Sequence, residues 1–185
     1  MASSDGLRRV RSLADRLGAL VVLLVVWSGP VPIGARAQAG NEPAPWAAGV
    51  RRAEDALTRR EFSVALRAAN EAHDAAARTT GWEGLVEVAG TYRHIGEVTA
   101  LSQSFEAKAR ELYGRALVRA RQQGSVDGVL RVAEGFLTLG DVAAATQCVR
   151  VADRLAVRDP EARADVRAFA ARLADASGAA SPLSP

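Results

Sequence analysis

Two histidines, one cysteine and one lysine are the residues of this 185-residue chain with the widest chemical repertoire. Neither His73 nor His94 has another His or Cys at ligand spacing, which argues against a zinc centre. Cys148 stands alone, so there is neither a disulfide framework nor a multi-thiolate metal site. It falls at an inward-facing slot beside Val149 and Ala152, where a free cysteine packs as a small hydrophobe. An intermolecular disulfide or a reactive thiol in an oxidising compartment is the other chemistry open to it. G-x-S-x-G, H-E-x-x-H, a P-loop, the dinucleotide-binding glycine pattern and C-x-x-C are all absent. The chain is therefore expected to be no enzyme and to hold no cofactor and no metal.

Charge narrows the partner. The formal net charge is +3, and residues 1–39 hold Arg8, Arg9, Arg11, Arg16 and Arg36 against Asp5 and Asp15, which accounts for all of it. The remainder is neutral and lacks a phosphate-tracking field, so no nucleic-acid partner is expected. The 23 arginines against Lys108 alone read as the codon bias of a GC-rich bacterial genome rather than as anion recognition.

The same segment has the three parts of an export signal: a basic stretch to Arg16, an apolar stretch from Leu17 to Trp27, and Gly29, Pro30 and Pro32 before Ala37-Gln38-Ala39. The apolar stretch has 11 residues, where a spanning helix needs about 20. A signal peptide over 1–39, cleaved after Ala39, is expected to leave no stable membrane anchor. The mature protein would be exported, to the periplasm or the outside of the cell.

These chemical residues need elements to carry them. A flexible leader (40–45) and a disordered tail (177–185) are expected to flank a domain over 46–176, in which Pro160 is the only internal proline. Ala, Leu, Arg and Glu dominate the domain and favour helix almost throughout, while strand signals are absent. Gly81, Gly96, Gly124 and Gly140 mark breaks at which left-handed residues end helices. About seven helices result. The last is expected to start at Asp159-Pro160-Glu161, an N-cap followed by proline at the first helical position.

An internal repeat organises them. Val88 to Gly96 aligns with Val132 to Gly140 as apolar, Ala, two variable, aromatic, two variable, aliphatic, Gly. Each copy then supplies a second helix with small residues in phase: Ala65, Ala69 and Ala72; Ala109, Tyr113 and Ala116; Ala145, Val149 and Ala152. Ala53 to Ala89 and Ala109 to Ala145 are both 36 residues, while Ala65 to Ala109 and Ala89 to Ala133 are both 44. The middle copy thus carries eight extra residues around Glu97 to Phe105, enough for two helical turns or a longer loop. Trp46 and Trp82 occupy one place in successive copies and are expected to staple the start of each first helix; ligand contact is the other reading.

Leu85, Val88, Ala89, Tyr92, Ala109, Tyr113 and Ala116, with Val129, Val132, Ala133, Phe136, Ala145, Val149 and Ala152, resemble the tetratricopeptide repeat (TPR). The first copy departs from that pattern at Gly49, Arg52 and Ala56, and the closing proline is missing from all three. The resemblance implies an all-α fold of antiparallel helical hairpins stacked as a short right-handed solenoid, three hairpins and a terminal lid helix. It also implies a concave, peptide-binding surface made of the first helices: Val50, Glu54, Leu57 and Thr58; Val86, Gly90, Arg93 and His94; Leu130, Glu134, Leu137 and Thr138. Of the cationic and amide residues that clamp a carboxylate in that family, only Arg93 is present. The expected function is a non-catalytic module binding another protein or peptide of the cell envelope. The alternative is a helical-bundle carrier of a small apolar ligand, which would need an enclosed apolar cavity.

Overall fold

The computed structural model describes residues 43–99 and 101–179. The expected signal peptide, residues 40–42 of the leader and residues 180–185 of the tail lie outside the described residues. Those described form seven α-helices: α1 (Ala47–Thr58), α2 (Phe62–Arg78), α3 (Glu83–Thr99), α4 (Ser102–Gln122), α5 (Val126–Thr138), α6 (Val142–Leu155) and α7 (Pro160–Ala179), the last preceded by a 3-10 turn, Ala156–Arg158. The fold is all-α, without a strand among the described residues.

Sequence signals fix most of the boundaries. Asp159 Oδ1 accepts from the amides of Glu161 and Ala162 at 2.9 and 3.1 Å, so the Asp-Pro-Glu start of α7 is capped as expected. Ser125 and Asp141 cap α5 and α6 in the same way. Gly124 and Gly140 end α4 and α5 at φ +66° and +72°. Arg60 takes φ +60° at the place in the first copy that Gly140 holds in the third. All three turns close with one bond pattern, Glu61 N to Ala56 O, Ser125 N to Ala120 O and Asp141 N to Phe136 O at 2.8 to 2.9 Å.

Gly81 lies in the turn between α2 and α3 without the expected left-handed conformation, and two boundaries differ from expectation. Gly96 does not end a helix but lies buried inside α3, where an added Cβ would stand 2.9 Å from Phe105 Cβ. Its bareness serves the close approach of α3 to α4. Helix α7 runs on through Ser177 to Ala179, because a helix once nucleated gains a bond per residue and Ala176 and Ala179 propagate it well. The extra length of the middle copy goes into helix rather than loop, the connection itself being one residue shorter than that between α5 and α6. Five lengthen α3 past the residue equivalent to the end of α5, and α4 starts four residues earlier than α6 does.

Packing follows the alanine phase. Helices α1 and α2, α3 and α4, and α5 and α6 are antiparallel hairpins, and the first helix of each also touches the first helix of the next, with α7 against α5 and α6. This stacking is compatible with a solenoid. Ala53, Ala65, Ala69, Ala89, Ala109, Ala116, Ala133, Ala145 and Ala152 are fully buried at the crossings, where small side chains let helix axes approach to the short end of about 8 to 10 Å. Trp46 and Trp82 each reach into the following copy. An added Cβ at Gly84 would lie 2.6 Å from the Trp46 ring and 2.8 Å from Ala76 Cβ; at Gly128 it would lie 2.6 Å from Trp82 and 2.9 Å from Ala120 Cβ. The staple thus joins hairpins rather than only starting helices. On the other side, Arg119 of α4 donates to Ala76 O, Ala77 O and Gly81 O at 2.8 to 3.2 Å, satisfying the carbonyl end of α2. Val166, Phe169 and Leu173 bury one side of α7, and Arg163, Asp165 and Arg167 stay on its exposed side. A polar outer face is what a terminal cap requires.

Candidate functional site

The first helices carry the expected face, and the structure sorts its residues. Val50 and Glu54 of α1 gather with Glu87, Gly90, Thr91, Arg93, His94 and Glu97 of α3 around an open hollow of about 480 Å³. His94 Nδ1 donates to Glu54 Oε2 at 2.6 Å and ties the first hairpin to the second. The Arg93 guanidinium meets the Glu97 carboxylate one turn on. Trp46 Nε1 donates to Glu87 at 2.9 Å, so the indole also braces this face from below. Nothing would lie within 4 Å of a Cβ added at Gly90. At Gly90 the lining of the hollow is bare backbone.

Val86 lines a second hollow of about 370 Å³ with Trp82, Glu87, Asp127 and Arg131. A third, of about 360 Å³, has Leu130 and Glu134 of α5 facing Asp165, Phe169 and Arg172 of α7. Arg172 lies 5.0 Å over the Phe169 ring and 3.8 Å from Glu134. These hollows are open and rimmed by charge, which is not the enclosed apolar lining of a lipid carrier.

Leu57 does not belong to the face. It is 4% exposed and packs in the core, because α1 turns its Ala53, Ala56 and Leu57 stripe inward. Leu137 is half-buried against the core beside Phe136. Thr58 and Thr138 are exposed, but their hydroxyls donate to Glu54 O and Gly135 O at 3.0 and 2.8 Å and close the last turns of α1 and α5. Sequence reasoning placed Tyr113 in the core and missed its polar end. Burial pushes its phenol up, and Arg93 of α3 and Thr138 of α5 pull the other way. Asp127, Arg131 and Arg172 were also missed. They become neighbours only when α3, α5 and α7 stack, and no local spacing signals that.

Elsewhere the chemistry is quiet. Cys148 is fully buried, and burial, helped by the Asp141 charge, pushes its thiol up to about 11. A thiolate is the reactive species, so this cysteine packs. His73 is held below its ordinary range, first by burial and then by Lys108 and Arg115. Its Nε2 accepts from Arg115 Nη1 at 3.3 Å. No group of three His, Cys, Asp or Glu residues is placed to hold a metal among the described residues, and no helix among them is long and apolar enough to cross a membrane.

The neutral domain is polarised. Helices α1, α3 and α5 carry seven carboxylates against four arginines, whereas α2, α4 and α6 carry nine cations against five carboxylates. No known protein family, curated protein or solved structure matches the chain.

Proposed function

We propose that the chain is an exported, TPR-like helical-repeat protein whose first-helix face binds another protein or peptide of the cell envelope. Gly90 is the observation that carries the reading. A glycine inside a helix destabilises it by about 0.5 to 1 kcal/mol relative to alanine, and here no packed neighbour needs the missing side chain. Its position in the lining of a hollow of about 480 Å³ supports a role in leaving room for a partner. The flanking groups fit a protein ligand: half-buried Val50 and Val86 supply apolar contact, and Glu54 and His94, joined across α1 and α3, and Arg93, joined to Glu97 within α3, supply polar contacts already held in place. Export rests on the basic, apolar and small-residue order of 1–39, and predicts a mature N-terminus at Gly40.

Site-specific photo-crosslinking in the native host tests the reading. A photoreactive residue at position 90 should capture discrete envelope proteins, and one at Gly114, equally open but on α4, should not. Equal capture from both positions, or from neither, would refute the assignment. Sequencing of the native N-terminus checks export separately.

A further inference from the structure

The three hollows of the first-helix face adjoin. Glu87 lines both the hollow at Gly90 and the one beside Trp82, while Asp127 and Arg131 line both that one and the hollow between α5 and α7. One groove therefore crosses α1, α3, α5 and α7. The charges that line it are unequal. Glu54, Glu87 and Glu97 stand in the first hollow, the second adds Glu83 and Asp127, and the third adds Glu134 and Asp165, against Arg93, Arg131 and Arg172. Each of these arginines already has a carboxylate: Arg93 meets Glu97, Arg131 lies 3.3 Å from Asp127, and Arg172 lies 3.8 Å from Glu134. Glu54, Glu83, Glu87 and Asp165 are left without an arginine or lysine partner among the described residues. Counting His94 as a cation for Glu54 still leaves three. Arg51 and Arg52, the remaining arginines of the first helices, line none of the hollows, and Arg52 is engaged by Glu71 of α2 at 2.6 Å.

We infer that this groove takes an extended, basic segment of the partner protein, with a lysine or arginine at every third residue and one such side chain in each hollow. The inference rests on the proposed role of the first-helix face and names the chemistry of its ligand. Packed helix axes lie about 8 to 10 Å apart, and a polyproline II chain advances about 9 Å in three residues, returning every third side chain to the same side. A cation at every third residue thus meets one hollow after another. An acidic segment, or the carboxylate end of a chain, would add charge of the sign already in surplus and would compete with the carboxylates that hold the three arginines.

The test uses the full chain and a fluorescein-labelled peptide carrying three arginines at every third position among prolines and alanines. One twin replaces arginine by glutamate, and another sets the three arginines side by side. The spaced basic peptide should bind saturably in fluorescence anisotropy, and high salt should weaken it. Glu87→Gln and Asp165→Asn, which keep the side-chain shape, should each weaken binding about threefold and together about tenfold. Asp153→Asn, which removes the same charge from α6, should leave binding unchanged. If one groove variant loses its circular dichroism, the other carries the test. No saturable binding, equal binding of either twin, or equal effects of the groove and α6 variants would overturn the inference. So would tighter binding of spermidine than of the peptide, which would give the groove to a small polycation, or a dimer in sedimentation that the paired variants dissociate, which would give it to a second copy. Discrete capture from position 90 alongside any of these results would leave the face a protein-binding surface and remove only its basic ligand; capture lost as well would remove both.

Discussion

Arg60 shows how much one backbone angle matters. It holds the left-handed conformation at φ +60° that Gly140 adopts in the third copy at +72°, and a side chain there costs about 1 to 2 kcal/mol. Arg60→Gly should raise stability in urea melts by about 0.5 to 1 kcal/mol, since the added freedom of the unfolded chain offsets part of the relief; a loss would contradict the turn geometry. Glycines inside helices divide by what faces them. Gly135→Ala would put a Cβ 2.4 Å from the Tyr113 ring and should cost about 1 to 3 kcal/mol by overpacking. Tyr92 gives a pH signature. Burial first, with Asp74 and Glu111, pushes its phenol up to about 12 from 10, so between those values the unfolded chain sheds a proton that the folded chain keeps. Stability should fall as pH rises through that window, by about 2 to 3 kcal/mol from this group. A Tyr92→Phe variant should show a flatter alkaline limb, and an unchanged limb would mean that the phenol is not buried.

At the scale of helices, the hairpin crossing makes the sharpest contrast. Ala145 is fully buried at the α5–α6 crossing, whereas Ala143, two residues earlier on α6, is exposed. Ala145→Leu should destabilise by about 1 to 3 kcal/mol and Ala143→Leu hardly at all; equal effects in urea melts would mean the repeat phase is wrong. That phase was legible because small residues at constant offsets mark helix crossings, and the start of α7 because Asp-Pro-Glu is a local capping signal. Gly96 misled because a bare residue serves close approach as readily as it serves a left-handed turn, and only the position of Phe105 decides between them. The apolar Leu57 was misassigned to the face because the first copy has Ala56 where the others have Tyr92 and Phe136, and α1 turns Leu57 inward beside it. Links such as His94 to Glu54, 40 residues apart, leave no trace in local spacing.

For the whole domain, the net charge of the sequence concealed its distribution. Residues 40–185, balanced overall, carry their acidic surplus on the first helices and their basic surplus on the second. The central claim is that the first-helix face is kept open for a protein ligand at some expense in stability. Gly90→Arg tests it most directly, measured for urea stability and for capture of envelope proteins beside Gly114→Arg. Both variants should gain about 0.5 to 1 kcal/mol, because each replaces an unpacked helical glycine with a good helix former. Gly90→Arg alone should lose the captured partner while becoming more stable. A Gly90→Arg protein that is stabilised and still captures the same partners would contradict the account.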